Sequence, residues 1–210
     1  MPRVENSLRT APVPQNTADA DRSLVADFDT QLMLQLRAGD TDAAAALVRR
    51  NLPRVARYVA RVVRNPRVVE DLSQDVFVQV LSNARRYRPT ARFSTWLYRI
   101  ATNVAIDYLR RTRAQKPAAE LNAGDAASMP LRDRSLNQPE RLVFQKELQA
   151  AVGNALDRLP PNQRVALTLF ELEDFSYEQI AAVLDVTVDA VRSLLPRAKE
   201  SLRAQLQHVR

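Results

Sequence analysis

The chain of 210 residues is 46% hydrophobic, with three glycines, no cysteine and a single histidine, His208, a composition that suits one or two compact helical domains. The lack of cysteine excludes disulfides, thiolate zinc sites and thiol nucleophiles, and one histidine leaves little room for a His-based triad. The net charge of +7 is uneven: Arg49 to Lys116 hold 16 basic and four acidic residues, a net of +12, and the rest carries −5.

In chain order, residues 1–26 hold Pro2, Pro12 and Pro14 among small polar residues, without the apolar stretch of a signal peptide, and read as a flexible tail. Helical patterns begin near Phe28, and Gly39-Asp40 marks a turn. Thr41 or Asp42 is the expected cap of a second helix whose apolar positions are Leu47, Val48, Leu52, Val55, Val59 and Val62. Asn65-Pro66 breaks it. A third helix places Val69, Leu72, Val76, Phe77, Val80 and Leu81 on one face, with Glu70, Asp71, Gln74, Asp75 and Gln79 opposite. Such a polar face is usually only solvated. After the bend RRYRPTAR, a long helix from about Phe93 to Arg113 has Phe93, Trp96, Leu97, Ile100, Val104 and Tyr108 as its buried stripe. Its other side carries Arg99, Asn103, Asp107, Arg110 and Arg111.

The segment 116–139 has three prolines and little periodicity and reads as a linker. A second helical set follows over Arg141–Arg158, Asn162–Leu172 and Ser176–Leu184, then a final helix through VTVDAVRSLLPRAKESLRAQL. Ser176 and Gln179 have the spacing of a capping box, and Thr187 that of an N-cap. Two helices around the turn Asp185-Val186-Thr187 fit a helix-turn-helix or an ordinary helical hairpin. The charges of the last helix favour the former: Val188, Val191, Leu194, Leu195, Ala198, Leu202 and Leu206 face inward, while Arg192, Ser193, Pro196, Arg197 and Lys199 fall outward. Arginine reads guanine bidentately and lysine holds phosphate. Pro196 withdraws a hydrogen bond from the carbonyl of Arg192, so a kinked outer face is expected.

The segments GDTDAAAALVRR, VEDLSQDVFVQVL, RYRPTARFSTWLYRIATNVAIDYLRR, LDRLPPNQRVALTLFELEDFSYEQIAAVL and AVRSLLPRAKESLR, in this order, resemble the extracytoplasmic-function (ECF) sigma factors of bacterial RNA polymerase. The resemblance runs from about Phe28 to Leu206. It implies an all-α chain of two small helical domains: a tail (1–26), a sigma-2-like bundle (27–115), the linker (116–139) and a sigma-4-like helix-turn-helix (140–210). It implies that Asp71, Gln74, Asp75 and Val78 dock on the largest catalytic subunit of core RNA polymerase. Tyr87, Arg88, Asn103 and Asp107 would capture a base flipped from the promoter −10 element, with Arg110, Arg111 and Arg113 on its backbone. Arg192, Ser193, Pro196 and Arg197 would read the duplex −35 element, Lys199 holding phosphate, with Tyr177 and Glu178 on the backbone or orienting the readers. An anti-sigma factor is a further partner the family allows, able to hold the protein near the membrane; the expected place is otherwise the cytoplasm, at the nucleoid.

No cofactor, metal or enzymatic activity is expected, since beyond Glu70, Asp71 and Asp75 no convergent cluster suggests bond chemistry. No apolar run reaches the ~20 residues of a membrane span, so no membrane insertion is expected. Three positions depart from the family: Ala45 stands where a large aromatic is usual, which predicts altered packing of the first two helices, and Leu194 and Pro196 replace residues that commonly face DNA. A stand-alone regulator that binds duplex DNA without polymerase is the competing class.

Overall fold

A computed structural model describes residues 27–115 and 150–207, and these are all-α, without a strand. The expected tail and linker therefore lie outside the described residues, as do 140–149 and His208. The helices are α1 (Phe28–Arg37), α2 (Asp42–Val63), α3 (Val69–Ser82), α4 (Phe93–Gln115), α5 (150–158), α6 (Pro161–Leu172), α7 (Tyr177–Leu184) and α8 (Val188–Leu206). Among the described residues no helix is long and apolar enough to cross a membrane.

Local chemistry sets most boundaries. Asp40, rather than Thr41 or Asp42, caps α2: its Oδ1 accepts from the backbone N–H of Asp42 at 2.9 Å, while Thr41 makes no side-chain cap. Arg64 turns into the left-handed region (φ 57°) after α2, ahead of Asn65-Pro66. The capping box forms as expected, with Ser176 accepting from the N–H of Gln179 and the Gln179 side chain accepting from the N–H of Ser176. Thr187 caps α8 by accepting from the N–H of Ala190 at 3.2 Å. Prolines inside α2 (Pro53) and α8 (Pro196) both sit on exposed faces, where the unpaired carbonyl one turn earlier can be hydrated.

The buried stripes follow the helical period, with each fully buried Val or Leu contributing on the order of 1.5–3 kcal/mol. Leu47, Val55, Val59 and Val62 are buried in α2, as are Leu72, Val76, Phe77 and Val80 in α3. Leu52 and Leu81 are corrections: both are exposed, at the margins of their stripes. Ala45, where altered packing is expected, is exposed on α2.

Two buried tyrosines in the core are not singled out by the sequence patterns. Tyr58 shares a hydrogen bond with Thr102, and Tyr98 packs on Tyr58 with ring centroids 4.8 Å apart. Burial raises both phenols, and that of Tyr98, which also donates to Glu173, is pushed up to about 12. A folded-state value above the unfolded 10 means the native chain holds the proton longer. The associated stability is therefore complete below pH 10 and is lost as pH climbs toward 12. Urea unfolding across this range should show a decline of up to about 3 kcal/mol from Tyr98. Tyr98→Phe should be less stable at neutral pH but lose less on going alkaline. Parallel pH curves for the two proteins would contradict this.

Candidate nucleic-acid interface

The +12 block lies mainly on α2, α4 and the bend before α4. Along α4 the inward residues Phe93, Leu97, Tyr98, Ala101 and Ala105 are buried, and the period leaves Arg99, Asn103, Arg110 and Arg111 exposed, with Asp107 half-exposed beside them. Asp107 accepts from Arg110 Nη2 at 2.8 Å, holding one guanidinium along the helix surface. Arg113 is exposed in the last turn.

The bend departs from expectation at Tyr87. Its ring is 2% exposed, set edge-on to Trp96 (5.0 Å) and Phe93 (6.2 Å), so it cannot stack on a base in this form. The physical reason is that Tyr87 ends a short 3-10 turn, Ala84–Arg86, which aims the ring inward and the arginines outward. Trp96 takes the core role read from its stripe, packed against both rings. Arg37, at the end of α1, donates to the backbone oxygen of Tyr87 at 3.1 Å. Arg37, Arg85, Arg86, Tyr87 and Arg88 line an open cleft of about 490 Å³. Arg85 and Arg86 were visible in the RRYR run, but Arg37 is 50 residues away and only the fold delivers it.

In α8 most of the residues expected to face DNA stand clear of the core. Arg192, Ser193, Pro196 and Arg197 are exposed, while Val191, Leu195 and Ala198 are buried. The helix continues uninterrupted through Pro196. Arg192 pairs with Asp189 at 2.8 Å. Lys199 is held by Glu171 at 2.7 Å and lies 4.8 Å from the Phe170 ring centroid. Tyr177 packs edge-on against Phe170, and its neighbour Glu178 opens α7. The Glu178 carboxyl is held below its usual range by its own backbone N–H, with Ser176 and the Arg192 charge adding to the effect.

On α3 the acidic face is free of the core: Asp71, Gln74, Asp75 and Val78 are all exposed. Val78 is 61% exposed with Leu81 nearby at 40%, so the face combines carboxylates with uncovered apolar surface. That mixture suits a docking face better than a merely solvated one.

An exposed acidic-apolar face on α3, a basic surface on α4 and the bend before it, and a helix-turn-helix arrangement of α7 and α8 stand on one all-α chain. Residues 47–115 match Sigma-70 region 2 and residues 149–202 match Sigma-70, region 4. The chain is 34% identical over 181 residues to the ECF RNA polymerase sigma-E factor of Escherichia coli, covering 85% of this chain and 94% of that one. It is 33% identical over 188 residues to the RNA polymerase sigma-H factor of Pseudomonas aeruginosa, covering 88% and 96%. Among solved structures, CnrH in complex with the cytosolic domain of CnrY is similar with a TM-score of 0.62 and 25% identity, over 86% of this chain and 98% of that one. The sigma factor RpoE of Bartonella quintana, solved with the anti-sigma factor NepR, has a TM-score of 0.54 and 22% identity, over 79% and 98%. The chain belongs to the ECF sigma factors of the sigma-70 family. It is an alternative sigma factor for RNA polymerase, a class of non-catalytic initiation factors.

Proposed function

We propose that the chain docks on bacterial core RNA polymerase through the α3 face of Asp71, Gln74, Asp75 and Val78, and reads a promoter in two forms. The −35 element is read as duplex by α8, through Arg192, Ser193 and Arg197. Pro196 offers only apolar contact there, and Lys199 reaches phosphate once it leaves Glu171. The −10 element is held as a melted single strand by Asn103 and Asp107 on α4, with Arg88, Arg110, Arg111 and Arg113 on its backbone. Tyr87 supports this surface from beneath instead of stacking on the base. The cleft of Arg37, Arg85, Arg86 and Arg88 adds positive charge beside that face.

The observation that carries this reading is the amide of Asn103, exposed within a basic surface on a helix whose other side is fully committed to the core. Flipping a base costs a few kcal/mol, and an edge hydrogen bond with several arginine–phosphate contacts offsets that cost. An anti-sigma factor is proposed as a further partner, by likeness to CnrH, which was solved with a bound protein.

Fluorescence anisotropy of the labelled chain with core polymerase at near-physiological salt tests the reading. Saturable nanomolar binding with weak affinity for duplex alone is expected. Tight duplex binding without polymerase binding would move the chain to a stand-alone regulator.

A further inference from the structure

Five arginines of region 2 already have an anion: Arg50, Arg61, Arg64, Arg99 and Arg110 each stand against a carboxylate at 2.8–3.4 Å. The four that line the cleft at the end of α1 do not. Among the described residues no carboxylate pairs with Arg37, Arg85, Arg86 or Arg88, and none lines the cleft. Asp40, three residues after Arg37, is committed to the cap of α2, accepting from the N–H of Asp42 at 2.9 Å and of Ala43 at 3.4 Å. The frame beneath the four side chains is fixed. Arg85 and Arg86 leave a 3-10 turn closed by the bond from the Tyr87 N–H to the Ala84 oxygen at 3.1 Å, and the Tyr87 ring is locked against Phe93 and Trp96. Arg37 arrives from the other side, tied by Nη1 to the Tyr87 oxygen, and keeps most of its five N–H donors free. Four cations thus share about 490 Å³, within the range of small-molecule sites, from roots that the fold holds together. Like charges so gathered repel one another until an anion enters.

We propose that this cleft binds a small oligophosphate free in solution, of the nucleoside triphosphate class, through its phosphate chain. The density of charge selects that class over a nucleic-acid strand. A strand spaces its charges by at least about 3.4 Å, one to each nucleotide, so few of them enter a cleft of this size. Three directly bonded phosphates bring about four negative charges together, the terminal group alone carrying about −1.5 to −2. Guanidinium forks match phosphate oxygens two at a time. The cleft has no exposed ring on which a base could stack, since Tyr87 is only 2% exposed. The ligand is therefore read by its phosphates and not by its base. Arg88 is shared with the −10 strand on the reading proposed above, and the cleft lies beside that face. Occupation of the cleft competes with the melted strand and makes its capture responsive to the level of free oligophosphate. The competition rests on that reading, whereas the binding itself does not.

Isothermal titration calorimetry of the full chain with sodium tripolyphosphate, at near-physiological salt, tests the site. One saturable site per chain is expected, with inorganic phosphate at least tenfold weaker and ATP and GTP equal within threefold. Arg85→Ala, at an exposed position, should weaken tripolyphosphate binding at least tenfold, and Arg37→Ala should do the same. If Arg37→Ala loses helix content with its bond to Tyr87, Arg85→Ala decides alone. Arg67→Ala is the control. It removes an exposed charge before the start of α3, while the cleft lies beyond the end of that 14-residue helix, about 20 Å away, and affinity should change less than twofold. No saturable binding, equal losses from Arg67→Ala and Arg85→Ala, or a tenfold preference for one base overturns the site. A labelled single-stranded oligonucleotide then tests the competition: tripolyphosphate should raise its apparent Kd at least fivefold, and an unchanged Kd overturns the competition. An oligonucleotide that does not bind at all counts against the −10 reading, and the calorimetry still decides the cleft.

Discussion

Asn103→Ala is expected to reduce initiation from a cognate promoter about tenfold or more while leaving the affinity for core polymerase unchanged. Asn103 is exposed, one turn from Arg99 and Asp107, and its removal opens no cavity in the stripe of Leu97, Ala101 and Ala105. Folding should therefore be spared, and the loss should appear where the amide bonds a base edge, a contact worth about 1–3 kcal/mol. Since only melted DNA offers that edge, the deficit should appear in strand opening, read by permanganate reactivity near −10, more than in recruitment. Unchanged opening and transcription would remove Asn103 from the interface.

Asp75→Arg should have the complementary outcome, lowering the affinity for core polymerase by about 10- to 100-fold. Asp75 lies between Asp71 and Val78 on the exposed face of α3, while Leu72, Val76 and Val80 hold the other face in the core. Reversing one charge against a partner shaped for carboxylates costs several kcal/mol at most, because opposed like charges are penalised more than a lost pair. The far-ultraviolet circular dichroism should match the wild type, which separates lost docking from lost folding. Normal holoenzyme assembly in a competition titration would reject the docking face.

The period of apolar residues made the helices legible. Spacings of three and four placed Val55, Val76, Leu97 and Leu195 inside, and the Ser176–Gln179 pair fixed the start of α7. The errors lie at stripe margins and at tyrosines. Leu52 and Leu81 have the right spacing but point past their neighbours, a matter of how helices cross. Tyr87 followed the chemistry of its arginine-rich surroundings, whereas its direction is set by a 3-10 turn too short to carry a period. Tyr98 lies one position off the predicted stripe and is buried by region 4, a contact no local pattern encodes. Arg37 reached the cleft by the packing of α1, which likewise has no local signature. Charge is more directly legible: the arginines of the +12 block are all exposed or half-exposed, since arginines rarely go inside, whereas Arg164, outside that block, is buried.

Three of the cations assigned to DNA already have carboxylate companions: Arg110 with Asp107, Arg192 with Asp189 and Lys199 with Glu171. A basic side chain that meets phosphate from a free state displaces condensed cations from the DNA and leaves affinity steeply dependent on salt. A side chain that first abandons a neighbouring carboxylate leaves an anion behind, which gathers some of those cations again. Titrations with sodium chloride should therefore give a shallower logarithmic slope than a count of arginines and lysines at the interface suggests. Neutralising the companions, as in Asp189→Asn, should steepen it. On the proposed promoter reading, Asp107, Asp189 and Glu171 would act as built-in competing counterions and make promoter affinity less sensitive to the ionic conditions of the cell.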